Sequence, residues 1–148
     1  SEDSRLWQAI RVKGGLSYTV GSSLQASSWE PSGSWTFFAT MASQNAQALQ
    51  DAMVKTLSDT LKNGFTQDEV DQGVKSLLNY LKLGRSNDSW LADHWLDYLD
   101  TGRSFAWQQR IIDQLKSLKA GQVNAAMRDL LKPGELSIAV AADPKAKP

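Results

Sequence analysis

The sequence predicts an α+β fold, a mainly antiparallel sheet with several helices packed on one face. Three observations carry that expectation. Apolar residues alternate with period two over 16–26 and 35–41; the period then lengthens to three and four from Ala46 to about Leu131; and a last alternating stretch, "ELSIAVAAD", follows Pro133 and Gly134. The 148 residues suit one domain, and a chain of that length buries roughly two thirds of its unfolded surface, so a core forms without disulfide or metal.

The elements follow in order. Leu6, Trp7 and Ile10 sit at helical offsets, so Arg5 to Val12 reads as a short helix, broken by Gly14 and Gly15. A strand begins at Leu16, with Leu16, Tyr18, Val20, Leu24 and Ala26 in one parity and Ser17, Thr19, Ser23 and Gln25 on a wetter face. Trp35, Phe37, Ala39 and Met41 repeat the pattern, and "SSWEPSGS" between the two reads as a long hairpin loop. Ala46, Leu49, Met53, Leu57 and Leu61 form the stripe of an amphipathic helix that ends at Gly64. Thr66 and Glu69 then make a capping box, and Phe65 and Val70 occupy the positions of a hydrophobic staple. Val70, Val74, Leu77, Leu78 and Leu81 are the buried face of this second helix, which Gly84 is expected to end. Asn87 or Ser86 caps a third helix holding Leu91, Trp95, Tyr98 and Leu99 before Gly102. Further helices are expected from Ser104 to about Leu118 and from about Ala120 to Leu131. Leu136, Ile138 and Val140 read as a final strand. Residues 1–142 are thus one partial domain, and 143–148 a polar tail with no reason to be ordered. Three strands are few for so many helices, so the sheet reads as part of a larger one.

Composition removes several function classes. Sixteen basic residues balance sixteen acidic ones, which gives no electrostatic reason for a nucleic-acid or anionic-membrane partner. Cysteine is absent, excluding disulfides, zinc ribbons and thiol nucleophiles. No apolar run approaches the roughly 20 residues of a membrane span, and no signal peptide precedes Ser1, so the expectation is a soluble chain with any targeting segment removed or never present. With His94 as the sole histidine, neither H-E-x-x-H nor H-x-x-E-H can exist, and no metal site is expected. Asp93, His94 and Asp97 share a helical neighbourhood, which reads as a surface histidine beside acidic residues. No G-x-S-x-G elbow presents a nucleophile, and "RVKGG" lacks the phosphate-loop patterns. Asp51, Asp59, Asp68, Glu69 and Asp71 form no convincing acid/base pair. Trp7, Trp29, Trp35, Trp90, Trp95 and Trp107 are scattered and read as core or interface residues.

Arg11 and Tyr18 flank the glycine pair. On the residues alone, Tyr18 fits an ordinary core position, and Arg11 can complement the helix dipole. The order and spacing of "SRLWQAIRVKGGLSYTVGSSL", a hairpin, "GFTQDEVDQGVKSLLNYL" and "AAMRDLLKPGELSIAVAAD" resemble the pitrilysin/insulinase/processing-peptidase family of zinc metallopeptidases, the inverzincins. The likeness is to the second-half domain, which lacks the zinc motif and typically reads "SRLxxxLRxxxGLxYxV"; Ser4, Arg5, Leu6, Arg11, Gly15, Leu16, Tyr18 and Val20 match it.

The resemblance implies a domain whose first strand and helix precede these residues, leaving a sheet edge open to self-association, including a homo-oligomer. It implies a non-catalytic domain that binds a peptide or protein substrate and helps complete the active site of a separate H-x-x-E-H half, which holds the zinc. Arg11 and Tyr18 would then support substrate or transition state, and this chain would carry no cofactor and be no enzyme by itself. A proteolytically silent scaffold or peptide-interaction module is the alternative. The absence of cysteine and the bacterial look of this family version favour the periplasm over the cytoplasm.

Overall fold

The computed structural model describes residues 4–143. They form an α+β chain of six helices and one two-stranded antiparallel sheet, divided into two compact units. One unit holds the residues up to Asn63 together with those from Leu130 onward; the other is Gly64–Asp129.

In the first unit, α1 starts at Arg5–Trp7 and widens into a π-helix over Gln8–Lys13. Ser4 caps it, its hydroxyl accepting from the Trp7 amide at 3.2 Å. The wide turn ends on Gly14 and Gly15 for two separate reasons. A Cβ on Gly14 would stand 2.8 Å from the Ala9 carbonyl oxygen, and Gly15 has φ +58°, the left-handed region where glycine costs nothing. Strands β1 (Thr19–Ala26) and β2 (Gly33–Thr40) pair from Thr19 with Thr40 to Ala26 with Gly33. Helix α2 (Ala46–Asn63) buries Leu49, Leu57 and Thr60 and packs on α1. Ile10 is fully buried; a side chain of that kind contributes about 1.5–3 kcal/mol by leaving water, so it anchors the π segment.

Two expectations about the sheet are corrected. The stretch after Pro133 enters a 3-10 turn (Pro133–Glu135), but Leu136 to Ala141 is not a strand among the described residues. Alternation equips a segment to be a strand, whereas a strand exists only where a neighbour accepts its hydrogen bonds, and none of the described residues does so. The parity reading of β1 also fails. Tyr18 is 78% and Leu24 72% exposed, while Ser17, assigned to the wetter face, is buried. The strand starts only at Thr19, so Ser17 lies in the turn before it, and a lone hairpin with one covering helix cannot bury a whole face. Within β2 the pattern holds, with Trp35, Phe37 and Ala39 half-buried between exposed neighbours.

The second unit is helical: α3 (Gln67–Gly84), α4 (Asp88–Asp100), α5 (Phe105–Lys116) and α6 (Ala120–Leu130, whose last residue falls in the first unit). The Thr66 and Glu69 capping box is formed in full, and Asn87 caps α4 by accepting from the Trp90 amide at 2.9 Å. The loop before α3 is clasped by Asn124, whose side-chain oxygen accepts from the Phe65 amide at 2.7 Å while its nitrogen donates to the Phe65 carbonyl at 3.0 Å. Gly84 ends α3, as the sequence suggests, and is its last helical residue. Its role is steric: a Cβ there would stand 2.5 Å from the Trp90 indole. The polar tail, apart from Asp143, lies outside the described residues.

Candidate functional site

Arg11 lies in the π-helical part of α1, where the hydrogen-bond ladder is rearranged to admit an extra residue. The Leu16 amide donates to the Ile10 carbonyl at 3.0 Å, and the Gly15 amide to that of Arg11 at 3.2 Å. These bonds turn the chain back sharply, so residue 18 passes beside residue 11. Ser17 fixes the passage. Its hydroxyl lies 2.6 Å from the Thr19 carbonyl and 2.5 Å from that of Thr40, sharing one proton between them and tying the entry of β1 to the exit of β2.

The two residues singled out in the sequence are thereby brought together. An Arg11 Nη1 donates to the Tyr18 carbonyl at 3.2 Å, and the guanidinium carbon lies 4.4 Å from the centre of the Tyr18 ring. Trp7 completes the arrangement, its ring centre also 4.4 Å from the guanidinium carbon. A cation against two rings is restrained in direction as well as position, at about 0.5–1 kcal/mol for each exposed pair. The sequence reading places Trp7 among core or interface residues; its four-residue spacing from Arg11 on one helix is the signal for this contact.

The chemistry on offer is hydrogen-bond donation. Arg11 keeps its charge and has N–H groups beyond the one given to Tyr18, and the exposed Tyr18 side chain has a hydroxyl with no partner among the described residues. Among the described residues no group of three or more His, Asp or Glu side chains could hold a metal ion. His94 is engaged elsewhere: it stacks on Trp90 with ring centres 3.5 Å apart, its Nδ1 is 2.9 Å from the Trp90 carbonyl, and Tyr98 meets it edge-on. Among the described residues no helix is long and apolar enough to cross a membrane.

Residues 1–77 match the family model described as the peptidase M16 inactive domain. This chain belongs to that family. The crystal structure of a peptidase M16 inactive domain from Pseudomonas fluorescens is similar to it with a TM-score of 0.76 at 20% identity, covering 97% of this chain and 35% of that one. At this identity the likeness speaks for the fold. The chain spans about a third of the length of that solved protein, and no curated protein matches it. The family assignment bears out the pitrilysin/insulinase resemblance and makes this M16 chain a non-catalytic, peptidase-like domain.

Proposed function

We propose that this M16 inactive domain binds peptide and completes the active site of a separate M16 half that carries H-x-x-E-H and zinc, with Arg11 and Tyr18 as its contribution. The observation that supports this reading is the bracing of the Arg11 guanidinium against Trp7 and Tyr18, beside an exposed phenol.

In peptide hydrolysis a carbonyl oxygen acquires negative charge as water adds. Donors already aimed at that oxygen stabilise the transition state without reorganising, and each is worth about 3 kcal/mol in a water-poor site. The rings limit the swing of the guanidinium, so it would meet the substrate pre-oriented. The zinc of the partner half supplies the activated water; this chain supplies donors and peptide contacts.

The test is hydrolysis of quenched fluorescent peptides by this domain alone, and mixed with its H-x-x-E-H half, with zinc or with chelator. Expected is activity only in the zinc-containing mixture, with kcat falling by about a hundredfold in Arg11→Ala. Peptide or partner binding without hydrolysis in any mixture would replace this reading with that of a silent scaffold.

A further inference from the structure

We propose that Ser17 is a positioning residue: its hydroxyl holds the bend that turns the Tyr18 phenol outward, where the proposed function needs it. The purpose of the device rests on that reading, whereas its geometry rests on atoms of its own, the Ser17 hydroxyl and the Thr19 and Thr40 carbonyls.

The burial pattern shows that something must hold Tyr18 out. In a continuous strand residues 16, 18 and 20 share a face. Leu16 and Val20 are half-buried, yet Tyr18 between them is 78% exposed, and Thr19 beside it is exposed as well. Two exposed neighbours in succession mean that the pleat is interrupted. The chain bends at Tyr18, one residue before the strand begins at Thr19.

One side chain spans the bend. Ser17 is buried, and its hydroxyl reaches past Tyr18 to the Thr19 carbonyl at 2.6 Å and across the hairpin to the Thr40 carbonyl at 2.5 Å. The first contact draws residues 17 and 19 together and leaves the side chain between them on the outside. The second fixes that bend to the sheet, because Thr19 and Thr40 form the first pair of the register. Thr60, also buried, shows the ordinary use of such a hydroxyl, which it returns to its own helix at the Thr56 carbonyl. Ser17 instead joins positions 23 residues apart.

Alanine at position 17 has no proton to share. The tether from residue 17 to residue 19 is then gone, and an uninterrupted pleat returns Tyr18 to the face of Leu16 and Val20. The consequence falls on the phenol. A misplacement of about 1 Å can cost about a hundredfold in rate, and a donor that acts only in the transition state takes that loss in kcat rather than in KM.

The experiment has two readouts. In the full chain, nuclear Overhauser contacts between the Tyr18 ring and the Arg11 side chain, whose guanidinium carbon lies 4.4 Å from the ring centre, should be lost in Ser17→Ala and kept in Ser17→Thr, which retains the hydroxyl. In peptide cleavage with the H-x-x-E-H half and zinc, Ser17→Ala should lower kcat by at least about tenfold with KM within about twofold, and Ser17→Thr should restore it. Ser17→Ala made in the Tyr18→Phe background should cost no more than about twofold, because no phenol is left to aim; a general loosening of the unit would cost as much in either background. Retained contacts in Ser17→Ala, or an equal fall in both backgrounds, would overturn the proposal. So would loss of cooperative unfolding in Ser17→Ala, because the hydroxyl would then hold the unit together rather than aim one residue. Lost contacts beside an inactive wild-type mixture would count against the proposed function alone.

Discussion

Replacing Tyr18 by phenylalanine separates catalytic support from architecture more cleanly than any other change at the site. The ring that the Arg11 guanidinium contacts is retained, and the carbonyl that accepts from Arg11 belongs to the backbone, so neither the 4.4 Å ring contact nor the 3.2 Å hydrogen bond is removed. What is lost is a hydroxyl on a side chain 78% exposed, with no partner among the described residues. The expected change in stability is therefore within about 0.5 kcal/mol. If that hydroxyl donates to a developing oxyanion in the assembled peptidase, its removal raises the barrier by about 3 kcal/mol, a loss in kcat of about 10² to 10³. The assay is steady-state cleavage of a quenched peptide by the zinc-bearing half saturated with wild-type or Tyr18→Phe domain, alongside urea denaturation of the domain. Turnover unchanged within about twofold, at equal partner occupancy, would refute the assignment of Tyr18 to the reacting centre.

Three predictions concern the second unit. Asn124→Ala removes two hydrogen bonds to the Phe65 backbone, one at its N–H and one at its C=O, and a urea midpoint shift equivalent to about 1–3 kcal/mol is expected. Gly84→Ala places a methyl group 2.5 Å from the Trp90 indole; about 1–3 kcal/mol should be lost, with a change in near-ultraviolet circular dichroism as the indole leaves its stack on His94. Burial pushes the Tyr98 phenol above its ordinary value of 10.0, against the opposing pull of the Gln108 hydrogen bond and of Arg85 and Arg103. The folded chain therefore holds this proton more tightly than the unfolded chain does. The associated stability is fully present below about pH 10 and declines as the pH rises toward the raised value. Tyr98→Phe should flatten the alkaline fall in the urea midpoint between about pH 9 and 11, the window in which the unfolded phenol titrates.

What was legible in the sequence is what is decided locally. The Thr66 and Glu69 box, the Asn87 cap and the left-handed turns at Gly64 and Gly102 (φ +72° and +64°) lie where a few adjacent residues dictate the backbone. Errors arise where the deciding partner is remote. Leu136, Ile138 and Val140 alternate as a strand does, but pairing depends on whether an edge comes within reach, and no local pattern encodes that. Gly84 ends its helix where the sequence puts the end, but nothing adjacent announces Trp90, six residues on, as the ring that needs its missing side chain. Ser17 was hidden by parity: a polar residue beside a strand reads as solvent-facing unless the two carbonyls it joins are known. At the site, family likeness singled out Arg11 and Tyr18, and the structure brings them into contact. The part of Trp7 was missed because an aromatic on a short helix has so many ordinary uses.

The π-helical turn at Gln8–Lys13 gives the first helix a place where a change in chain length can be absorbed. A π turn accommodates one residue more than the α turn it replaces. Removal of one residue from the stretch between Trp7 and Arg11 would let the ladder relax to α spacing and leave the two side chains three residues apart, still neighbours on one face of the helix. A single-codon deletion is therefore a milder lesion here than in an unbroken α-helix, where it turns everything on one side of the gap by about 100°.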